Sequence, residues 1–291
     1  QSPWLLSINP FSVHDPYEYI REDFDAYDPD LIGDPFYHPG ELANKPVSQQ
    51  QEKDARRYDL SGPYDTLTKD QLRQMRRAYY AAVTFMDRQV GRLLDFLETN
   101  DLRENALIVF HSDHGDMQGD HGLFRKGAAM YDPVARAPLI FSMPGTIPQG
   151  KISEALCGLI DIAPTFYELL GLEIPPRIQG KSLLPILTGD RPDSEHREGI
   201  YAEYYHCNSE KSFYSFQRFY MMMWREDRYK IIVHHHVNDG ELYDIHEDPH
   251  EFINLWNAPA HRELRDAMIK RCFAETVYNL VDPEPVKTAG F

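Results

Sequence analysis

Leu72, Met75, Tyr79, Ala82, Met86, Val90, Leu93 and Leu97 recur at steps of three and four residues, which predicts one long amphipathic helix. Thr68-x-x-Gln71, just ahead of this run, is a capping-box pattern and marks the helix start. The opposite face carries Arg73, Arg76, Arg77, Arg88 and Arg92 and reads as a solvated surface. Ala106–Phe110 is a continuous apolar run too short for a helix, which suits a strand buried on both faces of a parallel sheet. A helix leading into such a strand is half of a βαβ unit. Pro138–Ser142 repeats the strand signal, and Asp161–Leu170 reads as a short helix stopped by Gly171. Pro3–Asn9 reads as another buried strand. Between it and Tyr64 lies a long acidic stretch rich in Pro and Tyr, a functional loop or a disordered insert by its length.

The texture changes near Glu198. Gly199–Tyr205, Phe219–Trp224, Tyr229–Val233 and Glu241–Ile245 alternate aromatic and polar residues, predicting successive strands of a small antiparallel sheet. Arg262–Val277 then reads as a closing helix. The expected architecture is an α/β domain over residues 1–197, a mostly parallel sheet flanked by helices. A C-terminal α+β subdomain over 198–291 follows it.

Charge narrows the functional classes. Thirty Lys and Arg against 46 Asp and Glu leave a formal charge of −16, which argues against binding nucleic acid through its phosphates. A local basic pocket for a small anion is still compatible with it. No apolar run approaches the roughly 18 residues of a membrane span. Cys157, Cys207 and Cys272 are scattered, so neither a disulfide framework nor a cysteine zinc module is expected.

The chemistry concentrates in Phe110-His111-Ser112-Asp113-His114-Gly115-Asp116, then Gly119-Asp120-His121-Gly122 and Lys126. These follow the predicted strand, at the sheet edge where ligands of open α/β folds gather. Asp113 beside His114 offers hard and borderline donors to a divalent cation. The glycines permit a tight loop, and Lys126 could return a point charge to the same pocket. His234-His235-His236 looks like a metal tract, but alternation on a strand points neighbours to opposite faces. Tyr204, Tyr205 and His206 are candidates for a substrate border.

This constellation resembles the sulfatase family of the alkaline-phosphatase-like superfamily. Tyr131-Asp132, Arg136-x-Pro138-Leu139-Ile140, Asp161-Ile162-Ala163-Pro164-Thr165, Gly180-Lys181-Ser182-Leu183, Glu241-Leu242-Tyr243-Asp244-Ile245 and Asp248-Pro249-x-Glu251 extend the likeness. The resemblance implies a metal-dependent hydrolase of small-molecule or carbohydrate sulfate esters. Asp113 and His114 would hold one divalent cation, Ca²⁺ foremost, with Mg²⁺ or Mn²⁺ as alternatives. Lys126 and His14 would be catalytic and contact the sulfate group. His121 would either bind substrate or brace the loop. A periplasmic or secreted location also follows from the likeness.

One departure shapes the expectation. Sulfatases carry a Cys-x-Pro-x-Arg or Ser-x-Pro-x-Arg segment whose Cys or Ser becomes the formylglycine nucleophile, and neither pattern occurs here. The chain is therefore expected to be the later part of a sulfatase. Its nucleophile would come from a missing N-terminal segment of the same protein, and it would be inactive alone. A phosphonate monoester or phosphodiester hydrolase is the alternative within the superfamily, and an inactive binding fragment is the alternative outside it.

Overall fold

The computed structural model describes residues 3–54, 64–126, 129–207, 218–235, 237 and 239–280. Its elements are α1 (Arg21–Ala26), α2 (Val47–Asp54), α3 (Lys69–Thr99), β1 (Ile108–His111), α4 (Asp132–Ala135) and β2 (Leu139–Ser142). After these come α5 (Ile162–Leu169), α6 (Leu184–Thr188), β3 (Gly199–Cys207), β4 (Arg218–Glu226), β5 (Tyr229–His234), β6 (Asp239–Asp244) and α7 (Arg262–Leu280).

The long helix starts where its cap predicts. The Gln71 N–H donates to Thr68 Oγ1 at 3.2 Å, and the Thr68 N–H donates back to Gln71 Oε1 at 2.8 Å. Its arginine face is only partly a solvated surface, with Arg88 and Arg92 exposed. Arg73 pairs with Asp34 at 3.0 Å and Arg76 with Asp120 at 3.3 Å, Arg88 clamps Asp23 with both terminal nitrogens, and Arg77 lies 4.1 Å over the Phe24 ring. The acidic stretch supplies most of these carboxylates, so it is laid along α3 by charge complementarity.

The expectation of a mostly parallel sheet does not hold. β1 and β2 pair antiparallel, Ile108 opposite Ser142 and His111 opposite Leu139. A parallel return needs a crossover of a dozen or more residues, usually a helix. The described residues of 112–138 instead carry turns, a 3₁₀ turn at Asp120–Gly122 and the short α4. Nor are the strands buried on both faces, because Phe110 and Ile140 stay exposed. Pro3–Asn9 forms no strand either, and Trp4, Leu5, Leu6 and Ile8 face solvent.

The C-terminal sheet matches its pattern, antiparallel in the order β3-β4-β5-β6. Alternation gives it two buried faces. Met221, Met223, Ile232 and Tyr243 pack on Met117, Leu123, Met130, Tyr131 and Val134 from the 112–138 connection. Trp224, Ile231 and Leu242 pack on Met268 and Cys272 of α7. The sheet is thus the floor on which that connection rests.

Candidate functional site

Buried charge anchors the connection to the floor. Lys230, fully buried on β5, lies 2.9 Å from Asp132 Oδ1 and 2.8 Å from Glu251 Oε1. The Asp132 N–H donates to Glu251 Oε2 at 2.7 Å. Lys45 reaches in from the acidic stretch, donating to the hydroxyls of Tyr131 at 3.1 Å and Tyr243 at 2.8 Å and to the Glu251 carbonyl at 2.5 Å. Burial pulls Lys45 below its ordinary value, with the Glu241, Glu41 and Glu251 carboxylates opposing it.

Above this anchor the backbone turns tightly. The Gly115 N–H donates to the Val134 carbonyl at 2.8 Å, and a Cβ on Gly115 would stand 2.0 Å from the Pro133 carbonyl oxygen. Only glycine allows that approach. Asp116 gathers the next turn, accepting from the N–H groups of Gln118 at 3.0 Å and Arg125 at 3.1 Å and from the Tyr17 hydroxyl at 2.7 Å. Tyr17 brings with it the segment containing His14.

Three of the predicted residues converge. Lys126 Nζ lies 3.1 Å from His14 Nε2 and 3.1 Å from His114 Nε2. Each Nδ1 faces a backbone carbonyl, that of Asp15 at 2.7 Å for His14 and that of Gly115 at 2.8 Å for His114. A carbonyl only accepts, so both rings carry the Nδ1 proton and present an Nε2 lone pair to the ammonium. The result is a cluster of three nitrogens open to solvent around one positive charge, in a chain of net charge −16. A tetrahedral anion entering here can take hydrogen bonds from the ammonium, which is compact and rotatable.

Asp113 sits beside this cluster but turns outward. Its side chain is 82% exposed, with Oδ2 3.5 Å from His114 Nε2 and Oδ1 accepting the His114 N–H at 3.0 Å. His121 is buried elsewhere in the loop, stacked on Tyr131 at 4.0 Å and 3.1 Å from Glu41. Tyr205 is exposed on β3, whereas His236 lies outside the described residues.

The metal expectation is corrected. Among the described residues no group of three or more His, Cys, Asp or Glu side chains is placed to hold a metal ion. The donor chemistry explains why Asp113 and His114 do not suffice for Ca²⁺, Mg²⁺ or Mn²⁺. Nε2 of His114 faces an ammonium and its Nδ1 bears a proton, so the ring offers a cation no free lone pair.

Asp15, Arg125, Tyr17 and Glu41 were missed by sequence reading, and Asp116 was quoted in the motif without a role. Asp15 and Arg125 are at least adjacent to singled-out residues, whereas Glu41 stands 80 positions from His121 and no spacing rule connects them. Nor is either described cysteine a ready nucleophile. Burial raises the Cys157 thiol and pushes that of Cys272 up to about 12.

Comparison with known proteins bears on the chain as a whole. The model of the Sulfatase family matches residues 1–172, and that of the N-sulphoglucosamine sulphohydrolase C-terminal family matches 119–277. An arylsulfatase of Clostridium perfringens is 29% identical over 271 residues, covering 92% of this chain and 52% of the relative. An N-acetylglucosamine-6-O-sulfatase of Bacteroides thetaiotaomicron is 32% identical over 251 residues, covering 85% and 43%. The solved phosphonate monoester hydrolase of Silicibacter pomeroyi superposes with a TM-score of 0.76 at 26% identity, covering 92% of this chain and 53% of that one. The chain thus spans about half the length of the relatives it matches.

These matches overturn the expectation of a later sulfatase part whose nucleophile region is missing. The Sulfatase match occupies the chain's own residues 1–172. The expected inactive fragment, the separate N-terminal segment as a partner and the formylglycine placed outside this chain are withdrawn with it. Among the described residues, no helix is long and apolar enough to cross a membrane.

Proposed function

Because this chain belongs to the sulfatase family, of alkaline-phosphatase-like hydrolases, we propose that the cluster of His14, His114 and Lys126 binds the tetrahedral anionic group of a sulfate ester during its hydrolysis. The observation that carries this reading is the ammonium of Lys126 held 3.1 Å from two imidazole nitrogens brought from 112 and 12 residues away. As the ester bond breaks, negative charge grows on the oxygens, and a fixed ammonium there gains value from ground state to transition state. When the ammonium turns to the anion, each Nε2 loses its donor. An Nε2 that has taken up a proton from solvent water can then donate it to the leaving oxygen, and His14 is our assignment for that step. His121, stacked on Tyr131 and bonded to Glu41, braces the loop from behind.

We assign the organic half of the substrate to the carbohydrates, following the amino-sugar sulfate in the name of the Bacteroides relative. A periplasmic or secreted location fits that substrate, and finding the protein in a periplasmic or culture-supernatant fraction tests it. The proposed units are residues 1–197, which hold the cluster, and 198–291, which support it. A phosphonate monoester is the second reading, favoured by the likeness to the Silicibacter enzyme. Turnover of p-nitrophenyl sulfate against p-nitrophenyl phenylphosphonate separates the two.

The test of the site is Lys126→Ala. We expect its turnover of the preferred ester to drop by about 10²–10³, the scale of removing one oxyanion donor. Lys126→Arg recovers little, because a planar fork does not replace a point charge. Full activity in Lys126→Ala would remove the cluster from the reaction.

A further inference from the structure

Asp15 and Arg125 are the sequence neighbours of His14 and Lys126, and they form an ion pair of their own. Arg125 Nη2 lies 2.6 Å from Asp15 Oδ2, with the two side chains 19% and 17% exposed. The contact therefore joins the two segments at positions directly adjacent to the residues that must meet.

Both partners are fixed before they pair. Arg125 stands at φ +61°, a region that a long side chain rarely adopts. Its N–H donates to Asp116 Oδ1 at 3.1 Å, and its carbonyl accepts the Met117 N–H at 2.8 Å. Such a conformation persists only where the surroundings over-determine it, and it clusters at functional sites. On the other side, the Asp15 carbonyl accepts the His14 Nδ1 proton at 2.7 Å, and Asp15 Oδ1 lies 3.5 Å from the same nitrogen. One residue thus holds both the His14 ring and the Arg125 guanidinium.

We propose that the Asp15–Arg125 pair is a positioning clamp for the anion site, setting how close His14 Nε2 and Lys126 Nζ come. This inference rests on reading their cluster as that site. The Tyr17 hydroxyl, bonded to Asp116 at 2.7 Å and accepting from Gln118 Nε2 at 2.6 Å, ties the same segments farther along the chain. The Asp15–Arg125 contact lies nearer to His14 than that tie does. Asp15 and Arg125 act through His14 and Lys126, so they are positioning residues rather than catalytic ones.

The experiment compares wild type, Asp15→Asn, Arg125→Gln, the double variant, Arg125→Lys and Lys126→Ala. It measures turnover of p-nitrophenyl sulfate and inhibition by inorganic sulfate, well below each unfolding midpoint. A misplacement near 1 Å costs up to about 10²-fold, so each single clamp variant should lose roughly 10- to 100-fold in kcat/KM. A merely structural role would reduce the active fraction and leave the inhibition constant for inorganic sulfate unchanged. A displaced cluster raises it, and that rise is the expected result. The two losses share one contact, so the double variant should fall within about threefold of the worse single. Arg125→Lys should recover part of the loss, because it keeps a positive charge facing Asp15. Wild-type kcat/KM and sulfate inhibition in the single variants, or losses that multiply in the double, would overturn the clamp alone. An unimpaired Lys126→Ala would overturn the anion site, and the clamp with it.

Discussion

Replacing Lys230 with Met keeps all but the last atom of a side chain that is fully buried and deletes its charge. In the native protein the ammonium stands 2.8 Å from Glu251 Oε1 and 2.9 Å from Asp132 Oδ1, and the Glu251 side chain is 1% exposed. Burial works to neutralise Lys230, but the two carboxylates outweigh it and hold its value above the ordinary one. Glu251 is already pushed up by burial against the pull of Lys230. Removing one partner of a buried pair strands the other, at about 3–5 kcal/mol. At roughly 2–4 °C per kcal/mol for a chain of this size, the unfolding midpoint at pH 7 should fall by about 10 °C. The loss should also depend on pH in a definite direction. In the variant, Glu251 has a folded-state value far above its unfolded one, so the folded state binds the extra proton. Stability then rises as pH falls from 7 toward about 4.3, the unfolded value of a Glu. The assay is urea unfolding of wild type and variant at pH 7 and pH 5. Adding Glu251→Gln to the variant removes the stranded charge and should return part of the loss. A loss under about 1 kcal/mol, no recovery at pH 5 and no gain from the second substitution would together refute the reasoning.

Two further outcomes follow from the same loop and its floor. Gly115→Ala places a Cβ 2.0 Å from the Pro133 carbonyl; overpacking of this kind costs about 1–3 kcal/mol, and because His114 is the adjacent residue, turnover should fall alongside the unfolding midpoint, whereas an unchanged midpoint would contradict the close approach. Glu241 is fully buried; burial raises its carboxyl, but His234, Lys45 and the Tyr243 hydroxyl outweigh that and bring it down to about 2. Its folded value lies below its unfolded one, so its contribution of roughly 3 kcal/mol is present above pH 4.3 or so and lost as pH falls toward 2. Glu241→Gln should flatten the stability-against-pH curve over that window, and a curve as steep as wild type would assign acid sensitivity to other groups.

What the sequence revealed was local. Thr68-x-x-Gln71 closes its capping box with the two hydrogen bonds its spacing implies, because both partners lie within one helical turn. The four C-terminal strands were legible because a sheet buried on both faces by different partners still alternates between them. Pairing direction was not legible at β1 and β2. A run of Ile, Val and Phe fits a parallel or an antiparallel neighbour equally, and only the connection decides. The arginines of α3 misled for a related reason, since a basic row facing water and one facing the carboxylates of a distant loop have the same periodicity.

The site divides along the same line. His114 and Lys126 share one short glycine-punctuated stretch, so the motif names them, whereas His14 entered only through the family likeness. The partners that hold them are specified by geometry alone. Asp15 meets Arg125 because Tyr17 meets Asp116 and because Gly115 lets the loop close on Val134. Each contact presupposes the others, and none leaves a periodic trace. The metal expectation failed at this level too. Asp113 and His114 have the right donor types, but the ring's protonated Nδ1 donates to a carbonyl and its Nε2 lone pair faces Lys126, an arrangement set by a residue twelve positions away. Donor identity is written in the sequence, but whether a lone pair is free is decided by the folded hydrogen-bond network.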